Sequence, residues 1–264
     1  MVNFINIKRS KTLLSQALYL GLNVLMAVAA LVLVLVTNSP VPSCILVLLG
    51  KWRIFAVRPR YWLMNIKANL VDLIVGLSVA VCLFLMGDGN ITAQIILTAL
   101  YAVWLVFIKP SSKPLMVNIQ AGVALVFSTT VAASLCFSLP SIVLVLASAI
   151  IGYAVVRHIL VTNLNDENSP ELVSFAAGLI MAELSWAAYH WLAAYSVPGT
   201  GLKIPQFTII AAMLGYVAIM IYRAHYDEDG AKVHLNDIIL PVVFATAVIA
   251  VMLLFFSGAS IDLS

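Results

Sequence analysis

The sequence predicts an all-α, polytopic membrane protein with about nine transmembrane helices and a cytoplasmic N-terminus. Two observations carry this prediction. Nine mostly apolar stretches follow one another through 264 residues, and the basic residues fall almost entirely in alternate gaps between them. A helix rising about 1.5 Å per residue needs roughly 20 apolar residues to cross about 30 Å of hydrocarbon. In lipid each backbone N–H and C=O must also be satisfied inside its own segment, which favours helices. Composition agrees: 63% of residues are hydrophobic and 9% charged, the mean hydropathy is +1.09, and soluble domains carry about 25% charged residues.

The predicted spans lie near 13–36, 41–57, 68–86, 91–108, 115–137, 141–160, 171–195, 206–222 and 237–256. The first ends at Thr37-Asn38-Ser39-Pro40, a turn composition whose proline cannot continue a helix. The second is cleanly apolar only in its first half, before Lys51, Trp52 and Arg53, whose long side chains can snorkel toward the interface. A basic, aromatic elbow, Arg58-Pro59-Arg60-Tyr61-Trp62, leads into the third span, and Gly87-Asp88-Gly89-Asn90 turns the chain into the fourth. Pro110, Pro114 and Pro140 mark the next two boundaries, the polar stretch 162–170 precedes the seventh span, and all ten prolines fall at span ends or in loops. Pro or Gly interruptions are the best sequence pointer to the broken helices of transporters, and here they are weak. The polar gaps are loop-sized, so one membrane domain, 1–264, is expected.

Cytoplasmic loops are enriched in Lys and Arg. One set of gaps holds Lys8, Arg9, Lys11, Lys51, Arg53, Arg58, Arg60, Lys67, Lys109, Lys113, Arg157, Arg223 and Lys232, and the other only Lys203. That asymmetry places the N-terminus inside and, with nine crossings, the C-terminus outside the cytoplasmic membrane of a bacterium-like cell. It also accounts for the net charge of +3 as topology, with no nucleic-acid partner implied. Leu13 to Val36 is too long for a signal-peptide core of about 7 to 15 residues and reads as an uncleaved first helix.

Glu183 lies near the centre of the seventh span, where a charged carboxylate costs about 2.5 to 3.5 kcal/mol on insertion scales, so it is expected to face a partner inside the bundle. Helical spacing sets Trp186 and His190 on its stripe, a series that could relay a proton or simply hold helices together. Asp72 sits about one turn inside the third span with Asn69 and Gly76 on its face, and Lys67 or a basic residue of the elbow could pair with it. Lys51, Arg53, Arg58, Arg60 and Lys67, interleaved with Trp52, Tyr61 and Trp62, form an interfacial belt that would attract anionic lipid or a phosphate-bearing ligand.

Lys51 to Pro59 also fits K-x6-R-P and so resembles the first signature of the membrane-bound phosphatidate phosphatases, in this segment only. That family's second signature would need a Gly and a His where Pro110-Ser111-Ser112-Lys113 stands, and its third a spacing that Arg157 and His158 do not supply. Phosphoryl transfer by that mechanism would lack its nucleophile and its acid. Cys44, Cys82 and Cys136 form no C-x-x-C pair and read as buried thiols. No zinc-protease or phosphate-loop motif occurs, so no catalytic residue, metal or cofactor is expected. Asn165-Asp166-Glu167-Asn168 reads as a solvated loop. The sequence reading is a protein that binds or moves a small solute or lipid; its alternatives are a non-catalytic scaffold or assembly partner and, more weakly, a lipid-modifying enzyme.

Overall fold

Helix α1 (Leu13–Thr37) opens the chain in a computed structural model that describes residues 13–136, 139–163, 169–191, 194–196, 202–225 and 235–255. The helix stops where Thr37 Oγ1 donates back to the Leu33 carbonyl at 2.6 Å and Asn38 takes a left-handed φ of 48°. Ser39 then caps α2 (Pro40–Leu49), accepting from the Val41 N–H. Proline in the first turn costs no hydrogen bond there.

Ten residues of α2 rise about 15 Å, half a hydrocarbon thickness. The predicted second span, 41–57, is therefore not one helix. After Leu49 the apolar run gives way to Gly50-Lys51-Trp52-Arg53, and the chain continues through 3-10 turns at Trp52–Ile54 and Pro59–Tyr61. Pro59 holds Arg58 in an extended conformation (φ −58°, ψ 140°), which blocks any helical continuation. Two helices follow, α3 (Trp62–Ala68) and α4 (Leu70–Leu85), bent by 68° at Asn69.

α5 (Ile91–Val103) widens into one π-helical stretch, Trp104–Ile108. Next come α6 (Pro114–Cys136), α7 (Ser141–Asn163) and α8 (Pro170–Trp191). The gap after α8 holds a small antiparallel hairpin, β1 (Ala194–Ser196) and β2 (Lys203–Pro205), with Tyr195 opposite Ile204. α9 (Gln206–His225) and α10 (Leu235–Phe255) complete the described chain. Pro241, expected at a helix entrance, lies inside α10, because the helix starts at Leu235 rather than at Asp237.

Among the described residues five helices are long and apolar enough to cross a membrane, in α1, α5 with its π stretch, α6, α7 and α8, and six if the bent pair α3–α4 counts as one. α2 and the apolar parts of α9 (Gln206–Ile221) and α10 (Ile238–Leu254) are shorter. This architecture fits a helical multi-pass membrane protein; among the described residues five or six helices are of full spanning length, against the nine expected.

Among the described residues the ion pairs gather at one end of the bundle. Lys51 and Lys109 meet on Asp72, and Lys67 and Arg157 meet on Glu171, all at the end where α3, the start of α4 and the start of α8 lie. At the opposite end the Lys203 backbone N–H donates to Ser134 Oγ at 2.9 Å. The interior mixes Val, Leu and Ile with small side chains, including Ala27, Ala121, Ala124 and Ala154, and the small ones let helices approach without a hydrophobic force between them in lipid.

α7 and α8 approach most closely at two glycines. A Cβ on Gly178 would stand 2.9 Å from the Ala149 carbonyl oxygen, and one on Gly152 would fall 2.5 Å from Met181 Cγ. Gly178→Leu is expected to lower stability by about 1 to 3 kcal/mol through overpacking, read as a lower Tm in detergent. Gly122→Leu, where a Cβ meets nothing within 4 Å, should stay within about 0.5 kcal/mol of the parent.

Candidate functional site

Three breaks in regular helix converge on one point. The first is the end of α2, where Gly50 and Lys51 leave the helix and Lys51 adopts φ −100°, ψ 16°. The second is Asn69, at φ −111°, ψ 8°, whose side-chain amide donates to the Asn65 carbonyl at 2.9 Å. Asparagine competes in this way with the backbone for its own carbonyls, and here it turns α3 away from α4. The third is the π stretch, closed by the Lys109 N–H on the Trp104 carbonyl at 2.8 Å. Carbonyls of that wider turn are served by other helices: Tyr19 Oη donates to Leu105 at 3.2 Å and Gln120 Nε2 to Ile108 at 2.6 Å.

Each break delivers a side chain to the same place. Asp72, in the first turn of α4, is buried, and the ammonium of Lys51 donates to its Oδ2. Lys109 Nζ lies 2.9 Å from the same oxygen. The lysines differ in access, with side-chain exposures of 6% for Lys51 and 32% for Lys109, so Lys109 forms the open edge. Asp72 Oδ1 is buried and has no hydrogen-bond donor among the described residues. Gly76, one turn further along α4, allows the convergence: its missing Cβ would lie 2.8 Å from Val47 of α2 and 3.0 Å from the Tyr101 hydroxyl of α5.

Beside this cluster lies an open cavity of about 290 Å³ lined by Gly50, Lys51, Ile54, Asn65, Asn69 and Lys109. One carboxylate between two ammoniums leaves a net positive charge on its wall. Burial pulls the Lys51 ammonium down to about 8, against the attraction of Asp72 and with the repulsion of Lys109. Burial also opposes charge on Lys109, but the Asp72 carboxylate and the hydrogen bonds within the cluster together outweigh it and hold Lys109 above the ordinary lysine value. Lys51 is therefore the member of the cluster that changes charge closest to neutrality.

Of the residues singled out from sequence, Lys51, Asn69 and Asp72 come together here. Lys67 does not join them. It pairs with Glu171 at 3.1 Å, where Arg157 (3.1 Å) and the Tyr153 hydroxyl (2.5 Å) also bind. Arg58 and Arg60 are exposed on the elbow, Arg60 stacking on the Tyr61 ring, and the side chain of Arg53 lies outside the described residues, as do 165–168. Glu183 departs from the expectation of an interior position: it is exposed on the outer face of α8, with Trp186 and His190 on the same stripe, their rings 5.1 Å apart. The reason is helical phase. Ser174, Gly178, Met181, Ser185 and Ala188 take the buried face, and Glu183 stands about 200° around the helix from Met181.

Lys109 and Asn65 escaped the sequence reading. Lys109 opens a Lys-Pro gap and looks like any topological charge, and nothing in the apolar run before it signals a π turn. The pair Asn65 and Asn69, four residues apart ahead of an apolar run, was the available signal.

Removing one partner of a buried ion pair costs about 3 to 5 kcal/mol, because a charge is left uncompensated, whereas replacing both with apolar groups is often neutral. Asp72→Ala should thus lower the Tm far more than the triple change Lys51→Met, Asp72→Leu, Lys109→Met. Thermal unfolding in detergent checks the order; equal losses would make Asp72 an ordinary packing residue.

No family model matches the chain, and no curated protein or solved structure matches it, so the site is read from its own geometry.

Proposed function

We propose that this chain binds a small solute or lipid in the inlet formed by α2, the α3–α4 bend and the end of α5, in the cytoplasmic membrane of a bacterium-like cell with the N-terminus inside. The observation that carries the reading is the convergence of three helix breaks on a buried charge cluster beside a cavity. Non-helical backbone at membrane depth is tolerated where it is buried in protein or lines a water-filled cavity. Discontinuous helices also build the solute sites of many transporters, and π turns recur at functional sites. Intramembrane ion clusters are costly to keep and mark ligand or ion pathways. Binding followed by movement across the bilayer is the fuller form of this reading.

The experiment is thiol labelling in a background without Cys44, Cys82 and Cys136. Asn65→Cys should react with a polar, membrane-impermeant maleimide added to inverted vesicles. It should be protected in right-side-out vesicles. Val79→Cys, buried within α4, should remain unlabelled in both. Protection of Asn65→Cys from both sides would mean that the inlet holds no water and would sink the binding reading.

The outward position of Glu183 supports a second reading, in which the chain is an assembly partner. A carboxylate among Phe175, Leu179 and Trp186 on an exposed helix face is costly against lipid and is satisfied by a partner transmembrane helix carrying a hydrogen-bond donor at that depth. Glu183→Leu should then leave Tm unchanged but abolish disulfide cross-linking from Leu179→Cys; retained cross-linking, or none in the parent, removes this reading.

A further inference from the structure

The two ammoniums of the inlet carry six N–H donors, and Asp72 Oδ2 takes one bond from each. The other carboxylate oxygen is buried and has no hydrogen-bond partner among the described residues. What remains on the wall is a surplus of donors and one uncompensated positive charge, beside the Asn65 and Asn69 side chains. A ligand that fits is rich in acceptors, negatively charged and small. The cavity, at about 290 Å³, lies at the bottom of the usual range of about 300 to 1,000 Å³, the size of a headgroup rather than of a large metabolite.

Lysines select among anions differently from arginine. Arginine presents a planar fork suited to bidentate carboxylates, whereas lysine is a point charge with rotatable donors. Two lysines arriving from different elements, one from the end of α2 and one from the end of α5, grip a tetrahedral oxyanion from two directions. The rim adds a further observation. Trp52, Phe55, Leu63 and Met64 are exposed apolar side chains on the elbow and α3, alongside the exposed Arg58 and Arg60, a composition suited to the headgroup layer.

We propose that the inlet is a phosphate site, with phosphoryl oxygens held between Lys51 and Lys109 on a molecule that is either a lipid headgroup or a small soluble phosphate ester. This inference rests on the binding reading above and adds its ligand class. Asp72 acts here as a positioning residue: it brings the two ammoniums together without itself contacting the anion.

The test uses the full chain in neutral-lipid nanodiscs, read by the shift in Tm. The probes are inorganic phosphate, glycerol 3-phosphate, acetate, and phosphatidic acid incorporated against a phosphatidylcholine background. A phosphate-specific rise in Tm is expected, on the soluble esters if the source is a solute or on phosphatidic acid if it is a lipid. Lys109→Met, which leaves Lys51 and Asp72 paired, should weaken that binding on the order of tenfold or more, as loss of one charge-assisted bond does. Arg58→Gln with Arg60→Gln should leave it in place.

The pH profile separates a site from a general surface charge. Lys51 faces Asp72 of α4 and Lys109 beyond α5, while Asp72 acts on Tyr101 of α5, and Tyr19 of α1 acts on Lys109. With Lys51 depressed to about 8, affinity should rise as the phosphate loses its second proton near about pH 6 and fall again above about pH 8 as Lys51 loses its own. The fall should disappear in Lys51→Met. Equal stabilisation by acetate, survival of binding in Lys109→Met, or loss only in the Arg58/Arg60 double variant would overturn the phosphate site. An accessible Asn65→Cys with no phosphate effect would refute the ligand class while keeping the inlet, and a protected Asn65→Cys would remove both.

Discussion

The architecture of this end of the bundle depends on a buried carboxylate that must be neutralised. Asp72 sits one turn into a membrane helix, away from water, and its burial is tolerable only with cations at hand. Both lysines reach it from breaks in regular helix. Lys51 arrives because α2 stops after ten residues, and Lys109 because the last turn of its helix widens to a π turn. Each break exposes backbone groups that lipid cannot satisfy, so each has to be met inside the protein. Tyr19 and Gln120 supply donors for the π turn, and Asn69 turns on the Asn65 carbonyl. The ion cluster and the irregular backbone therefore require one another, and a cavity forms where they meet.

Close packing around the cluster comes from what is absent. Gly76 brings α2 and α5 against α4, just as Gly152 and Gly178 bring α7 against α8. In the first case the approach sets the reach of Lys51 to Asp72; in the second it leaves the opposite face of α8 free, with Glu183 upon it. Two acidic residues in apolar helices thus have opposite surroundings. One is enclosed by cations at the end of the bundle, and the other points outward near the middle of a span.

The membrane class was legible in the sequence because it follows from a sum over many residues, the length of the apolar runs. The described contacts place Lys51, Lys67, Lys109 and Arg157 at one end. Helix length was less legible. The 41–57 stretch averages to a span, but a window average hides that its second half carries Gly50, Lys51 and Arg53. The Asp72 site was half visible, since a carboxylate near a basic elbow announces an ion pair without saying which lysine closes it. Lys67 is five residues away in sequence and Lys109 thirty-seven, yet the 68° bend at Asn69 swings Lys67 toward Glu171 and leaves Asp72 to the distant partner.

Glu183 shows the limit of depth as a guide to function. Position along a hydrophobic run sets the cost of a carboxylate, but only helical phase decides whether protein or lipid surrounds it. Phase can be read in α8 from its small residues: Ser174, Gly178, Ser185 and Ala188 recur at intervals of three, four and seven, the spacing of a packed face in membranes. Glu183 is off that stripe. The same reasoning favours Asp72, which shares its face with Gly76 and is drawn inward by it. An acidic residue in an apolar helix is thus better weighed by whether small residues accompany it at helical spacing than by its distance from the nearest loop.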